Sequence, residues 1–127
     1  LDLQPQKSAS VLLVEDDVVL RFTVADYLRD SGFEVWEAES ADEAMFVLTS
    51  VPEIDVIFSD VVMPGAKDGF DLAEWVNRNC PSTPIILASG FPGAHRLGNQ
   101  RQPVLTKPYA LSWVEQKITE ALHPDRR

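Results

Sequence analysis

The sequence predicts a single α/β domain in which a five-stranded parallel sheet carries helices on both faces. Three observations lead there. Short apolar runs of strand length recur along the chain, among them Val11–Val14, Val56–Phe58 and Ile85–Leu87, and a continuous apolar run is the pattern of a strand buried on both faces. Between the runs, apolar residues fall at helical spacing, so strands alternate with crossovers and lie parallel. The 127 residues, 45% hydrophobic and 24% charged, suffice for one core and sit near globular averages.

The elements follow in order. Residues 1–10 carry Gln, Pro, Lys and Ser without periodicity, which is linker composition. The chain opens on Leu1 rather than Met, so it is expected to be a piece of something longer, and no signal peptide is evident. The domain is expected over residues 11–122, with a tail at 123–127. Val11–Val14 is the first strand and runs into Glu15-Asp16-Asp17. Leu20, Val24, Tyr27 and Leu28 then mark a helix stopped by Gly32. Phe33 to Ala38 alternates apolar and acidic residues, as a strand near the sheet edge does. Ser40-Ala41-Asp42-Glu43 reads as a capping box opening a short helix that buries Ala41, Ala44, Met45 and Leu48.

The third strand covers Asp55 to Ser59 and runs out at Asp60. Met63, Pro64 and Gly65 break the chain into a loop before a helix that starts near Asp68 and buries Leu72, Trp75 and Val76, ending before Pro81. Pro84 to Ala88 is the fourth strand, closed by Ser89-Gly90. A short, mobile fourth helix is expected between Phe91 and Gln102, weakened by Pro92, Gly93 and Gly98. Val104–Thr106 is the fifth strand, followed by Lys107-Pro108. Leu111, Val114, Ile118 and Leu122 form the stripe of a final helix stopped by Pro124.

Composition excludes several functions. No stretch approaches the roughly 18 apolar residues of a membrane span. A formal charge of −9 argues against direct nucleic-acid binding, which relies on clustered Lys and Arg, and fits a cation site. The lone Cys80 cannot form an internal disulfide, which points to a reducing, cytoplasmic compartment.

The functional signal is positional. Strand one ends in Glu15-Asp16, strand three in Asp60, strand four in Ser89 and strand five in Lys107, and in a parallel sheet these ends share one edge. Three converging carboxylates repel unless a cation is supplied. An all-oxygen donor set without His or Cys favours a hard ion, and Mg²⁺ over Ca²⁺ where waters and a phosphate complete the shell. Lys107 is a point charge suited to a phosphoryl oxygen and Ser89 offers a hydroxyl to another. Together they describe a site for a transferable phosphoryl group, with one carboxylate as nucleophile.

Val11 to Asp17, Ser59 to Gly69, Ala88-Ser89-Gly90 and Thr106-Lys107-Pro108 closely resemble the four signature segments of response-regulator receiver domains, over Val11 to about Leu122. The resemblance implies a flavodoxin-like (βα)₅ fold with strand order 2-1-3-4-5. It implies that Asp60 accepts a phosphoryl group from the phosphohistidine of a histidine kinase or histidine phosphotransfer protein. Glu15, Asp16 and Asp60, with the backbone carbonyl of Val62, would hold Mg²⁺, and Lys107 and Ser89 would grip the phosphoryl group. The domain would be a regulatory phosphoacceptor rather than an enzyme acting on other substrates, and a phosphorylation-dependent dimer is open to it. The Lys107-Pro108 bond is expected to be cis.

The chain also departs from the family pattern. Glu15 replaces the commoner Asp, so Asp17 competes with it as a ligand unless Asp17 caps the first helix. The loop from Pro64 to Gly69 is one residue longer than in the chemotaxis regulator, a length associated with receivers of hybrid sensor kinases. Val104 stands where many receivers carry Tyr or Phe. Val62 and Phe91 flank the site where others have polar residues, which predicts a long-lived phosphoryl group. Tyr109 and Trp113, read as outward-facing residues of the last helix, and Leu97 form the expected partner surface.

Two other classes compete. A haloacid-dehalogenase-like phosphohydrolase also uses an aspartyl phosphate, but its first strand ends in Asp-x-Asp, and a further acidic pair follows its Lys. A pseudo-receiver would bind partners without phosphorylation. His95, in a Gly-rich loop with no partner in view, reads as a solvated side chain.

Overall fold

The computed structural model describes residues 8–51, 53–99 and 102–124. Five strands, β1 (Ser10–Val14), β2 (Glu34–Ala38), β3 (Val56–Asp60), β4 (Ile85–Ser89) and β5 (Val104–Thr106), alternate with helices α1 (Val18–Asp30), α2 (Ala41–Ser50), α3 (Gly69–Asn79) and α4 (Leu111–Leu122). All neighbouring strands pair in parallel, in the order β2-β1-β3-β4-β5. This is the flavodoxin-like arrangement expected from the sequence.

The apolar runs are continuous because each central strand is covered on both sides. Side chains alternate across a strand, and along β1 they divide between two cores. Leu12 and Val14 join Ile57, Leu87 and the buried faces of α2 and α3. Val11 and Leu13 join Phe58, Ile86 and the buried faces of α1 and α4. Fully buried side chains such as Leu12, Ile57, Leu72 and Ile118 each stabilise the fold by about 1.5–3 kcal/mol. Cys80 is half-buried, and burial pushes its thiol pKa up, as suits a structural residue.

The fourth crossover differs from expectation. In place of a helix, the chain makes only a 3₁₀ turn at Ala94–Leu97, with bonds from Ala94 N to Phe91 O and from Arg96 N to Gly93 O. Gly93 enters it with φ 75°. Gly98 leaves it so close to the next strand that a Cβ would lie 2.6 Å from Val104 N and 2.9 Å from Gln102 O. A helix cannot run on through those two points.

Smaller differences are local. β1 takes in Ser10, which is buried and donates its backbone N–H to Asp55 Oδ2 at 2.8 Å. The expected linker and tail fall, at residues 1–7 and 125–127, outside the described residues. At Ser40 only the hydroxyl half of the expected capping box forms, accepting from Glu43 N. The reciprocal pair occurs instead at α3, where Asp68 and Asp71 each accept the other's backbone N–H at 2.9 Å. Among the described residues no helix is long and apolar enough to cross a membrane.

Candidate functional site

Parallel register alone brings the polar strand ends together. Val14 pairs with Ser59, Asp60 with Ala88, and Ser89 with Thr106. Glu15, one residue beyond Val14, therefore stands beside Asp60, and Ser89 and Lys107 follow across the same edge. Glu15, Asp16 and Asp60 each present a carboxylate oxygen within 4.8 Å of the others. Lys107 Nζ lies 3.0 Å from Glu15 Oε1 and 3.1 Å from Asp60 Oδ1.

Burial sets the electrostatics. Glu15 is 4% and Asp60 9% exposed. Burial pushes the Asp60 carboxyl above its ordinary range, with Lys107 opposing and Asp16 adding to the rise. Glu15 is raised too, chiefly by burial; the Asp17 N–H and Lys107 hold it down, and Asp60 works the other way. For Lys107 burial acts downward, but the two carboxylates outweigh it and hold its pKa above the usual lysine value. One ammonium thus shares two buried carboxylates with a third beside them, leaving an excess of negative charge that a further cation would relieve. The donors are all oxygen, so the cluster fits a hard divalent ion.

Local geometry sends Glu15 and Asp17 in different directions. Asp17 is the N-cap of α1, its Oδ1 accepting from Leu20 N at 3.1 Å, while Glu15 points into the cluster and accepts from Asp17 N through Oε2. Ser89 is 1% exposed, and its Oγ accepts from Phe91 N at 3.1 Å. The Lys107 N–H donates to Ser89 O at 2.9 Å, tying the ends of β4 and β5, and the Lys107-Pro108 bond is cis. Val62 and Phe91 are exposed apolar residues in the loops that follow β3 and β4. The start of α3 presses on the end of β3: Gly69 N donates to Val61 O at 2.7 Å, and a Cβ on Gly69 would collide with Asp60 O.

The outer face requires one correction. Tyr109 does not belong to the last helix, which begins at Leu111. Its ring meets Phe58 edge-on at 5.5 Å, and burial, with Glu15 and Asp60 adding, pushes its phenol up. Ala110 before the helix is extended, and Tyr109 lies half-buried against the core, where helical spacing would have turned it out. Trp113, 40% exposed, and Leu97, 68% exposed, do face outward. Residue types alone gave no sign of Arg21, whose guanidinium reaches the backbone of Glu15 at 2.9 Å.

The response regulator receiver domain family matches residues 11–118. The chain belongs to that family. The receiver is 33% identical over 120 residues, 91% of its length, to the sensor kinase CckA of Brucella abortus, of which it spans 13%. It is 36% identical over 89 residues, 70% of its length, to the response regulator FleR of Pseudomonas aeruginosa, of which it spans 18%. Among solved structures, the receiver domain of the hybrid histidine kinase CckA superimposes with a TM-score of 0.76 at 28% identity, covering 91% of this chain and all of that one. A receiver protein from Sinorhizobium medicae, at 24% identity, shares the fold with a TM-score of 0.83 over 91% of this chain and 95% of its own.

Receivers are the regulatory phosphoacceptors of two-component systems, interacting with histidine kinases or phosphotransfer proteins, and they bind Mg²⁺ at an acidic site. The family match sets aside the haloacid-dehalogenase-like alternative.

Proposed function

We propose that this receiver accepts a phosphoryl group on Asp60 from the phosphohistidine of a histidine kinase or histidine phosphotransfer protein, and that the transfer changes its affinity for a partner. The observation that carries this reading is the convergence of Glu15, Asp16 and Asp60 within 4.8 Å, with Lys107 bonded to two of them. Lys107 pairs with both Glu15 and Asp60; of the two, Asp60 ends the central strand, at the position where the family's signature segment carries the phosphoryl acceptor. An Asp60 oxygen attacks phosphorus, and the bond to the donor's imidazole nitrogen breaks with its electron pair staying on that nitrogen. Lys107, already 3.1 Å from Asp60, takes one phosphoryl oxygen as its new counter-charge. Ser89 gives up the Phe91 N–H and turns its hydroxyl to another, so the loop it held is released.

Glu15, Asp16 and Asp60, with the backbone carbonyl of Val62, are the residues that would hold Mg²⁺, whose contribution is to neutralise charge on the phosphoryl oxygens. Val62 and Phe91 present apolar side chains beside the site and offer no group to position water, which favours a long-lived phosphoryl group. Trp113 and Leu97 supply exposed apolar surface for a partner, and Tyr109 joins them only where the loop after β5 shifts. We place the domain in the cytoplasm, as the receiver of a hybrid sensor kinase. The similarity to CckA and the longer loop after Pro64 support that context.

Intact-mass spectrometry after incubation with acetyl phosphate and Mg²⁺ tests the reading. A phosphoryl adduct absent in Asp60→Asn is expected. No adduct under any donor would indicate a pseudo-receiver.

A further inference from the structure

The acidic turn is held by a residue that touches none of its carboxylates. Arg21, on the second turn of α1, has a side chain only 14% exposed. Its Nε donates to Glu37 Oε1 on β2 at 3.2 Å, and a second guanidinium nitrogen donates to the backbone carbonyl of Glu15 at 2.9 Å. Glu37 is itself fixed from the other side, since Arg29 donates to its Oε2 at 3.1 Å and to Val35 O at 2.9 Å. The Glu15 N–H donates to Ala38 O at 2.9 Å. Both main-chain groups of Glu15 are therefore anchored, one by β2 and the other by Arg21.

That carbonyl belongs to the peptide joining Glu15 to Asp16. Among the described residues no hydrogen bond reaches the Asp16 carboxylate, so its direction is set by the main chain beneath it. We propose that Arg21 is a positioning residue for the acidic cluster. Bridging Glu37 to the Glu15 carbonyl, it aims Asp16 at Asp60 and so sets the cluster's affinity for a divalent cation. The inference rests on the reading of this cluster as a Mg²⁺ site. Positioning and charge act in opposite senses here: a nearby guanidinium by its charge disfavours a cation, while a fixed ligand favours one. Arg21→Lys separates them, because lysine keeps the charge but lacks the planar fork that spans two acceptors.

Metal-free wild type, Arg21→Lys, Glu37→Gln and the double variant are titrated with Mg²⁺, following the backbone amide resonances of residues 15–17 and 61, with thermal melts in EDTA to establish folding. Arg21→Lys is expected to weaken Mg²⁺ binding roughly tenfold, the low end for partners that orient metal ligands. Glu37→Gln should weaken it less, and the double variant no more than Arg21→Lys alone, because both act through one bridge. Unchanged or tighter Mg²⁺ binding in folded Arg21→Lys, or additive losses, would overturn the proposal. Should Arg21→Lys not fold, unchanged binding in Glu37→Gln would do the same. If wild type binds no Mg²⁺, the metal-site reading fails and this inference with it; if wild type binds and the variants match it, this inference fails alone.

Discussion

Lys107 Nζ lies 3.1 Å from Asp60 Oδ1 across the carboxyl edge of the sheet, from a strand next but one to that of Asp60. The pair is the electrostatic centre of the domain. Lys107→Met leaves Glu15 and Asp60 buried without their shared counter-charge, and the loss of a charged hydrogen-bond partner costs about 1–3 kcal/mol. Urea denaturation in EDTA should show that loss, and saturating Mg²⁺ should restore much of it. Phosphorylation by acetyl phosphate should slow about a hundredfold or more even with Mg²⁺, since a positioned donor to the transferring group is gone.

The pH dependence of the metal-free protein has a fixed sign. Asp60, ordinarily near 3.8, and Glu15, near 4.5, are both raised in the folded state. Over that window the folded chain binds more protons than the unfolded one, so stability is fully present below the ordinary values and is lost as pH rises through the raised ones. Denaturation in EDTA, followed from the ordinary carboxylate range upward in pH, should show the decline. Asp60→Asn should flatten it, and a decline of equal slope in that variant would contradict the assignment.

Gly69 has a steric role. Its Cα sits against the backbone that carries Asp60, where an added Cβ would lie 2.8 Å from Val61 Cα. Backbone cannot rotate out of the way as a side chain can, so Gly69→Ala should destabilise by about 1–3 kcal/mol and slow phosphorylation by displacing the acceptor. A stable variant with normal phosphorylation would show that the α3 junction is pliable.

Tyr109 and Trp113 should now behave differently. Tyr109→Ala removes a ring packed on Phe58 and should cost about 2–4 kcal/mol. Trp113, 40% exposed, should cost under about 1.5 kcal/mol when replaced by Ala, while weakening partner binding. Calorimetry of both variants distinguishes a residue packed against the core from one on the surface.

Much of this was legible in the sequence because burial on both faces leaves a simple trace. β1, β3 and β4 each carry a continuous apolar run, and Glu15, Asp60 and Ser89, at or just beyond the ends of those strands, converge by register alone. Strand order was not legible from periodicity and came from the likeness of the signature segments. Tyr109 was misplaced because it was read as an outward-facing helical residue four positions before Trp113, whereas the helix begins two residues later. The fourth helix was expected although Pro92, Gly93 and Gly98 weaken it; those local breakers decide the segment, with Gly98 packed against Gln102 and Val104 at the entry to β5, and only a 3₁₀ turn forms. Arg21 left no trace because its acceptors, Glu37 and the Glu15 carbonyl, become neighbours only when β1, β2 and α1 pack.

Exposed apolar side chains at Val62 and Phe91 should prolong the phosphorylated state. Replacing each with Asn or Glu is expected to speed phosphate loss from the isolated domain about tenfold, within the range of a single positioned general base or water ligand. Phosphate release followed over time after removal of the donor measures it. An unchanged rate would show that water reaches phosphorus by another side.

The central claim is tested most directly by locating the modification. Protein phosphorylated with acetyl phosphate and Mg²⁺ is reduced with borohydride, which converts an acyl phosphate on Asp to homoserine, and peptides are sequenced by mass spectrometry. Homoserine at position 60, and unmodified Asp at 16 and 17, is the result expected. Homoserine at position 16 or 17, with Asp60 intact, would contradict the account.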